Sequence, residues 1–134
     1  MLKDIKFKKV NNIAMAMVPE DQDGGGKIWY TYIINMKENP IKNVLINSKG
    51  YGKVDQEQRL TSTLRYFIEE LKESSFKKIE PINPELLGIT HEFWVSFQKK
   101  GQMYDKKYIF LPETINEEYL VDIPVLNMKG ILIL

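Results

Sequence analysis

Apolar and polar side chains alternate at every second residue over much of the chain, which is the period of a β-strand. The clearest segment is 28–36. One of its faces carries Ile28, Tyr30, Tyr32, Ile34 and Met36. The other face carries Trp29 and Ile33, so both faces are largely apolar. A strand with two apolar faces is typical of the middle of a sheet, and we predict a central strand here.

Further strands are predicted on both sides of this segment, at residues 13–18, 43–48, 76–82, 119–123 and 131–134. The strongest local signal is a hairpin. Its first strand, 92–98, places Phe93, Val95 and Phe97 on one face and Trp94 on the other. Its return strand is 104–111, and Gly101 between them supplies the positive φ that a hairpin turn requires.

The period changes once, at Leu64, Phe67, Ile68 and Leu71, which follow the i, i+3, i+4, i+7 spacing of a helix. Thr61-Ser62-Thr63 precedes them and offers N-cap side chains. We therefore predict a short amphipathic helix within residues 61–73. A single helical turn is also predicted at 83–88, where an asparagine is followed by proline and closed by glycine.

About eight short strands and one helix predict a mostly β fold for the single domain 1–134. We expect a two-layer antiparallel β-sandwich of immunoglobulin-like arrangement, with the helix bridging the sheets or capping one end. The alternative is an α+β fold in which the helix packs across one curved antiparallel sheet.

Composition limits the chemistry. The chain has no cysteine and one histidine, His91, which excludes disulfides, thiolate metal sites and a histidine pair. We expect no metal, no cofactor and no catalytic residue, and interpret His91 as a structural or surface residue. The acidic loop 21–26 resembles a calcium loop only at its start, because the glutamate required at its twelfth position is Tyr32. It is interpreted as an exposed loop.

The opening stretch 1–9 alternates apolar and charged residues, unlike a signal peptide, and no apolar run approaches membrane-spanning length. We therefore expect a cytoplasmic protein without membrane contact. The net charge is +1, and only Arg59 and Arg65 among 19 basic residues are arginines. Since phosphate recognition favours the arginine fork, nucleic-acid binding is not expected.

Two sets of side chains are candidate binding residues. The first is the glycine-lysine segment 48–53, where Lys49, Tyr51 and Lys53 surround two glycines whose amides could meet an anion. The ordinary interpretation of that segment is a glycine-rich turn or bulge. The second set is aromatic: Trp29, Tyr30, Tyr32 and Trp94. Large aromatics on an outer strand face anchor protein partners, whereas on an inner face they belong to the core.

The predicted hairpin also carries Lys99, Lys100, Lys106 and Lys107, with Tyr104 and Tyr108 between them. Interleaved lysines and aromatics are typical of single-stranded nucleic-acid surfaces. Lysines also keep hairpin tips soluble and discourage edge-to-edge pairing. The near-neutral total charge favours the second interpretation.

Five stretches resemble a family of short uncharacterised bacterial proteins, over nearly the whole chain: WYTYIIN at 29–35, NVLINSKGYG at 43–52, TSTL at 61–64, FWVSF at 93–97 and YDKKYIFLP at 104–112. Members often carry the label phenylalanyl-tRNA synthetase alpha subunit. A class II synthetase core is much longer than this chain and holds ATP phosphates with arginines. The resemblance therefore implies no functional residues here.

Together these observations favour a noncatalytic binding or assembly module, whose partner is another protein or a second copy of the chain. The rival is an enzyme or tRNA-linked accessory factor that uses segment 48–53. A concave cluster of His91, Lys49 and Arg59 would favour the rival, and scattered positions would favour the module.

Overall fold

The computed structural model of the chain describes residues 9–134. Within these residues it contains ten strands: β1 (Ile13–Asp21), β2 (Lys27–Asn35), β3 (Ile41–Val54), β4 (Glu57–Leu60), β5 (Leu64–Leu71), β6 (Ser75–Ile82), β7 (Thr90–Lys99), β8 (Gln102–Phe110), β9 (Val121–Ile123) and β10 (Met128–Ile133). The helical residues form three single-turn 3₁₀ helices, Pro84–Leu86, Pro112–Thr114 and Glu117–Tyr119. The opening stretch interpreted above as unlike a signal peptide lies largely outside the described residues.

The strands form two antiparallel sheets that pack face to face. Sheet 1 has the order β6-β2-β1-β10-β9. In sheet 2, β3 pairs with β7 on one side and with β5 and β4 on the other, and β8 pairs with the far side of β7. In the part of the chain that the structure describes, neither sheet closes on itself. The predicted mostly β, two-layer antiparallel sandwich is confirmed.

The predicted helix at 61–73 is wrong, because residues 64–71 form β5 and pair with β3 from Ile41 to Ser48. The α+β alternative is wrong as well, because it required a helix packed on the sheet. Tyr66 and Ile68 pack towards the core, while Phe67 points outward and is 64% exposed. An edge strand can carry an exposed apolar residue such as Phe67. Phe67 was one of the four residues whose spacing indicated a helix. Eight residues are too few for a stable isolated helix, whereas aromatic and β-branched residues suit a strand.

The predicted hairpin is β7 and β8, joined by the two-residue turn Lys100-Gly101. Both turn residues have positive φ, 50° and 75°, as expected for a turn that follows the strand twist. The single helical turn predicted at 83–88 is also present. It is Pro84–Leu86, and the Asn83 side chain accepts a hydrogen bond from the Glu85 N–H.

The main core lies between the sheets. Sheet 1 contributes Met15, Met17 and Ile33, all fully buried. Sheet 2 contributes its inward-facing side chains, which include Ile46, Phe93, Val95, Phe97, Tyr108 and Phe110. The buried Tyr108 hydroxyl donates a 2.5 Å hydrogen bond to the Ile13 carbonyl, across from sheet 2 to sheet 1. Burial raises the pKa of Tyr108, so this donor keeps its proton well above neutral pH.

A second apolar cluster covers the outer face of sheet 1. Tyr32 and Ile34 on β2 lie there beside Ala14, and Ile123 and Leu126 from the C-terminal segment pack over them. The sequence prediction that β2 has two buried faces is thus confirmed. Sheet 1 therefore has an apolar cluster on each of its faces. Within residues 9–134, no comparable apolar cluster covers the outer face of sheet 2.

Asn35, at the end of β2, is a buried polar residue with every side-chain group used. Its Nδ2 lies 3.0–3.1 Å from the carbonyl oxygens of Asn39, Leu71 and Lys72. Its Oδ1 accepts a 2.9 Å hydrogen bond from the Lys37 N–H. Buried amides are tolerated when satisfied in this way. Asn35 therefore joins the connection from β2 to β3 to the end of β5.

Phe97 and Trp94 test the assignment of the two faces of β7. Phe97 is fully buried and stacks on Tyr104 at 5.0 Å, so Phe97→Ala should lower the free energy of unfolding by about 3–5 kcal/mol. Trp94→Ala, on the outer face, should cost about 1 kcal/mol or less. Urea unfolding of both variants measures the difference. Equal losses would place the Trp94 indole in the core.

Candidate functional site

The strand register brings the outward side chains of sheet 2 into rows, which together we call the Trp94 face. The first row is Lys49, Glu92 and Ile109; the second is Asn47, Trp94 and Lys107; the third is Leu45, Ser96 and Asp105. Each row crosses β3, β7 and β8. Directly opposed side chains in an antiparallel sheet are close enough to interact. The face is therefore one connected surface with Trp94 at its centre.

Glu92 is the buried acid of this face, with only 8% of its surface exposed. Its Oε2 lies 3.7 Å from the Lys49 ammonium and its Oε1 lies 3.8 Å from the Lys107 ammonium. The Tyr51 hydroxyl donates a 3.3 Å hydrogen bond to Oε1. Buried charges need such partners. One carboxylate on β7 thus orders two lysines and a tyrosine from the two neighbouring strands, β3 and β8.

Trp94 is held in a fixed position although 44% of its surface is exposed. Its Nε1–H donates a 2.9 Å hydrogen bond to Oδ2 of Asp105. The Lys107 ammonium lies 4.7 Å from the indole ring centroid, within cation–π range. An aromatic ring that is ordered before binding loses little conformational entropy when a partner covers it.

The structure unites part of the predicted binding set and separates the rest. Trp94, Lys49 and Tyr51 meet around Glu92. Lys53 lies further along β3, opposite Gln58 on β4.

Trp29 and Tyr30 lie in sheet 1 instead. The Trp29 side chain belongs to the main core and is 7% exposed, so it packs between the sheets rather than presenting an outer anchor. Tyr30 is half-buried beneath the Lys78 ammonium, which lies 4.0 Å from its ring centroid.

Glu92 and Asp105 were not among the binding residues predicted from the sequence. A signal for one of them was available, because a two-residue turn at Lys100-Gly101 fixes the hairpin register. That register places Lys107 opposite Trp94 and Asp105 opposite Ser96. The contact between Lys49 and Glu92 could not be predicted in this way, because β3 and β7 are far apart in the sequence.

The glycines of segment 48–53 serve the backbone. The Gly50 N–H donates a 2.7 Å hydrogen bond to Thr61 Oγ1, and the Thr61 N–H returns one of 2.9 Å to the Gly50 carbonyl. A Cβ at Gly50 would lie 3.0 Å from Ile89 and 3.1 Å from Thr61. Glycine allows this close approach, and the Gly50 amide is already bonded rather than open to an anion.

His91 lies on the opposite face of β7 from Trp94 and lines a cleft of about 220 Å³ between the sheets, together with Thr61, Glu80 and Leu86. Its Nε2 lies 2.6 Å from the Leu86 carbonyl. Burial lowers the pKa of His91, while the Leu86 hydrogen bond and Glu80 oppose that shift. The buried ring braces the 3₁₀ turn at Pro84–Leu86.

Only two of the three residues that would mark the rival function lie together. Lys49 and His91 both line the cleft, although the Lys49 ammonium is directed at Glu92 on the outer face. Arg59 is exposed on β4, opposite Gly52. The three together form no concave cluster.

The lysines of the hairpin are also divided. Lys106 donates a 2.8 Å hydrogen bond to the Leu134 carbonyl and lies over Tyr108, on the inner side of β8. Lys107 lies over Trp94 on the outer side. Lys99 and Lys100 are at the hairpin tip. The set does not form one basic face.

Within residues 9–134, no group of three or more histidine, aspartate or glutamate side chains is placed to hold a metal ion. In the 21–26 loop, the Asp21 carboxylate lies 3.9 Å from the Lys27 ammonium. None of the helices in the described part of the chain has the length and apolar character to cross a membrane.

Comparison of the chain with protein families, curated proteins and solved structures gave no match.

The lowered pKa of His91 predicts an acid-sensitive fold. The unfolded chain takes up a proton near the ordinary value of 6.5, which the buried ring resists. The contribution of the neutral, buried His91 to the free energy of unfolding should therefore be fully present above about pH 6.5. It should decrease as the pH falls from there to the lowered pKa of the folded state. His91→Gln keeps an N–H for the Leu86 carbonyl but cannot titrate, so it should lose less stability between about pH 7 and pH 5. Urea midpoints across that range measure both. An equal slope in the two proteins would contradict the assignment.

Proposed function

We propose that this protein is a noncatalytic protein-binding module of the cytoplasm, and that it binds its partner through the Trp94 face. The observation that carries the proposal is the ordered, 44% exposed indole of Trp94 at the centre of the outer face of sheet 2. Half-buried tryptophans with surrounding charges are typical hot-spot residues of protein interfaces.

The charged side chains around Trp94 support a specific contact. Glu92 is neutralised by Lys49 and Lys107, while Asp105 is directed at the indole N–H. These groups are ordered and mixed in sign, so they suit a rim that selects a complementary partner. Leu45 and Ile109 are each just over one-third exposed on the same face and add apolar area beside the indole.

The strand connections support the finer assignment of an immunoglobulin-like topology. If β1, β2, β3, β6, β7 and β8 are equated with A, B, C, E, F and G, the pairings A–B, B–E, C–F and F–G are all present. β5 then occupies the C′ position beside C, and β10 and β9 extend the first sheet beyond A. We infer an immunoglobulin-like sandwich in which the Trp94 face is the outer face of the C′CFG sheet.

Trp94→Ala tests the binding face. Full-length wild-type and variant proteins are immobilised in equal amounts, and native-cell extract is passed over both. We expect partners of the wild type to be depleted roughly thirty-fold on the variant, because hot-spot truncation costs about 2 kcal/mol or more. Quantitative mass spectrometry measures the ratio, with the urea midpoint as the measure of folding.

Tyr119→Ala is the matched control, since Tyr119 is an exposed aromatic outside the Trp94 face. It should retain the wild-type partners. The proposal fails if Trp94→Ala, still folded, retains every partner, or if Tyr119→Ala loses the same ones.

A tRNA-linked role receives less support, because the four hairpin lysines are divided between the tip and two faces. We expect little binding to tRNA at physiological salt, where the release of counterions that drives lysine–phosphate contacts contributes less than at low salt. Fluorescence anisotropy over a salt series measures it. Tight binding that disappears when Lys99, Lys100, Lys106 and Lys107 are neutralised would reverse the ranking of the two functions.

A further inference from the structure

β5 forms an open edge of sheet 2. It pairs with β3 on one side, and no other strand within residues 9–134 pairs with it on the other. Its pairing with β3 has the same register at both ends, from Ile41 opposite Leu71 to Ser48 opposite Leu64, and is interrupted only between Asn43 and Glu69, where Asn43 has a positive φ of 51°. An edge strand of this kind exposes unpaired backbone groups that can accept another strand, unless sequence features block it.

The other long edges carry such features. β6 has Lys77, Lys78 and Pro81, together with a register irregularity against β2. β8 has Lys106 and Lys107, and β9 is only three residues long. Lysines, proline, bulges and shortness all discourage edge-to-edge pairing. β5, with the sequence LRYFIEEL, contains no lysine, proline or glycine.

The outward side chains of β5 form a self-complementary pattern. Arg65 and Phe67 lie outward, opposite Asn47 and Leu45 of the Trp94 face, and Glu69 is the next alternate position along β5; all three are exposed. Neither Arg65 nor Glu69 has an ion-pair partner within residues 9–134. Phe67 lies midway between the two charges. A two-fold axis through Phe67 would therefore exchange the positions of acid and base.

We propose that β5 pairs antiparallel with β5 of a second copy of this chain, with the two Phe67 residues opposite each other. In this register Arg65 of each copy faces Glu69 of the other, and Tyr66 faces Ile68 on the inner side. Directly opposed residues of an antiparallel pair lie on the same face, and this pairing keeps outward residues with outward ones. It is a closed, two-fold symmetric contact.

Neighbouring registers lack this match. A shift by one residue pairs outward positions with inward ones. A shift by two in either direction sets Phe67 opposite Arg65 or opposite Glu69, which breaks the symmetric acid–base pairs. The proposed register is therefore selected by Phe67 and by both charges together.

Pairing joins the two copies of sheet 2 into one continuous sheet and places both Trp94 faces on the same side. A single pair of edge strands buries less surface than a standard interface of about 1,600 Å². We therefore expect a dimer that forms with increasing concentration. The proposal does not depend on the partner proposed for the Trp94 face.

Reversal of the charges tests the contact in full-length protein. Arg65→Glu and Glu69→Arg each set like charges opposite one another at two symmetric positions. Each should weaken dimerisation on the order of ten- to thirty-fold by sedimentation equilibrium. The double variant Arg65→Glu/Glu69→Arg restores both opposite-charge pairs and should dimerise like the wild type.

Mixing the two single variants gives a sharper result. The introduced glutamate of one variant then faces the introduced arginine of the other, and the unchanged Glu69 faces the unchanged Arg65. The mixture should therefore form a heterodimer, although neither variant forms a homodimer of comparable affinity. Native mass spectrometry distinguishes the species by mass.

Two control variants separate this contact from other surfaces. Lys100→Glu reverses a positive charge at the exposed β7–β8 turn, which β3 separates from β5, and should leave dimerisation unchanged. Trp94→Ala should also leave it unchanged, which separates this proposal from the binding face.

Three results would overturn the proposal. The wild type could remain monomeric at the highest soluble concentration. The single reversals could dimerise as the wild type does, which would assign the contact to another surface. The mixture could contain no heterodimer while the wild type dimerises, which would remove the Arg65–Glu69 register.

Discussion

The hydrogen bonds of Asn35 hold together two of the four places in residues 9–134 where the chain passes from one sheet to the other. The β2–β3 connection passes from sheet 1 to sheet 2 through Lys37 and Asn39, and the chain returns after Leu71 and Lys72. One buried carboxamide binds all four of these residues. Its position sets where β3 begins and β5 ends relative to β2, and thus where the core side chains of the two sheets meet. With β5 fixed against β3 at this end, the open edge and the Trp94 face acquire fixed positions as well.

The two sheets differ in how their outer faces are used. The C-terminal segment covers sheet 1 with Ile123 and Leu126, so its second face became core. Sheet 2 keeps a charged and aromatic outer face, in which a nearly buried carboxylate, Glu92, is surrounded by cations and a phenol. A buried carboxylate adds little to stability compared with an apolar side chain, but it fixes the geometry of the groups around it. The face on which we propose recognition therefore belongs to the sheet whose outer side the C-terminal segment does not cover.

Local patterns in the sequence predicted the strands well, because alternation and turn chemistry depend on neighbouring residues. The β7–β8 hairpin followed from its alternation and from Gly101. The error at β5 arose because an exposed edge strand is free to carry Phe67 outward, which mimicked a helical stripe. Whether Trp29 or Trp94 lies outside depended on which sheet face the rest of the chain covers. That is a long-range property, and alternation within one strand does not contain it. The contact between Lys49 and Glu92 could not be predicted for the same reason, because it depends on the pairing of two strands that are distant in the sequence.

The contrasting environments of the two tryptophans give the protein two optical reporters. Trp29 is sealed in the core, whereas Trp94 stands in water with a carboxylate at its ring nitrogen and an ammonium over its ring. The emission of Trp29 follows the integrity of the sandwich, and the emission of Trp94 follows the solvent and charges at the outer surface. Replacing either indole with phenylalanine leaves a single tryptophan, whose emission can be excited selectively over that of the tyrosines, so that unfolding and surface coverage can be observed separately in an unlabelled molecule.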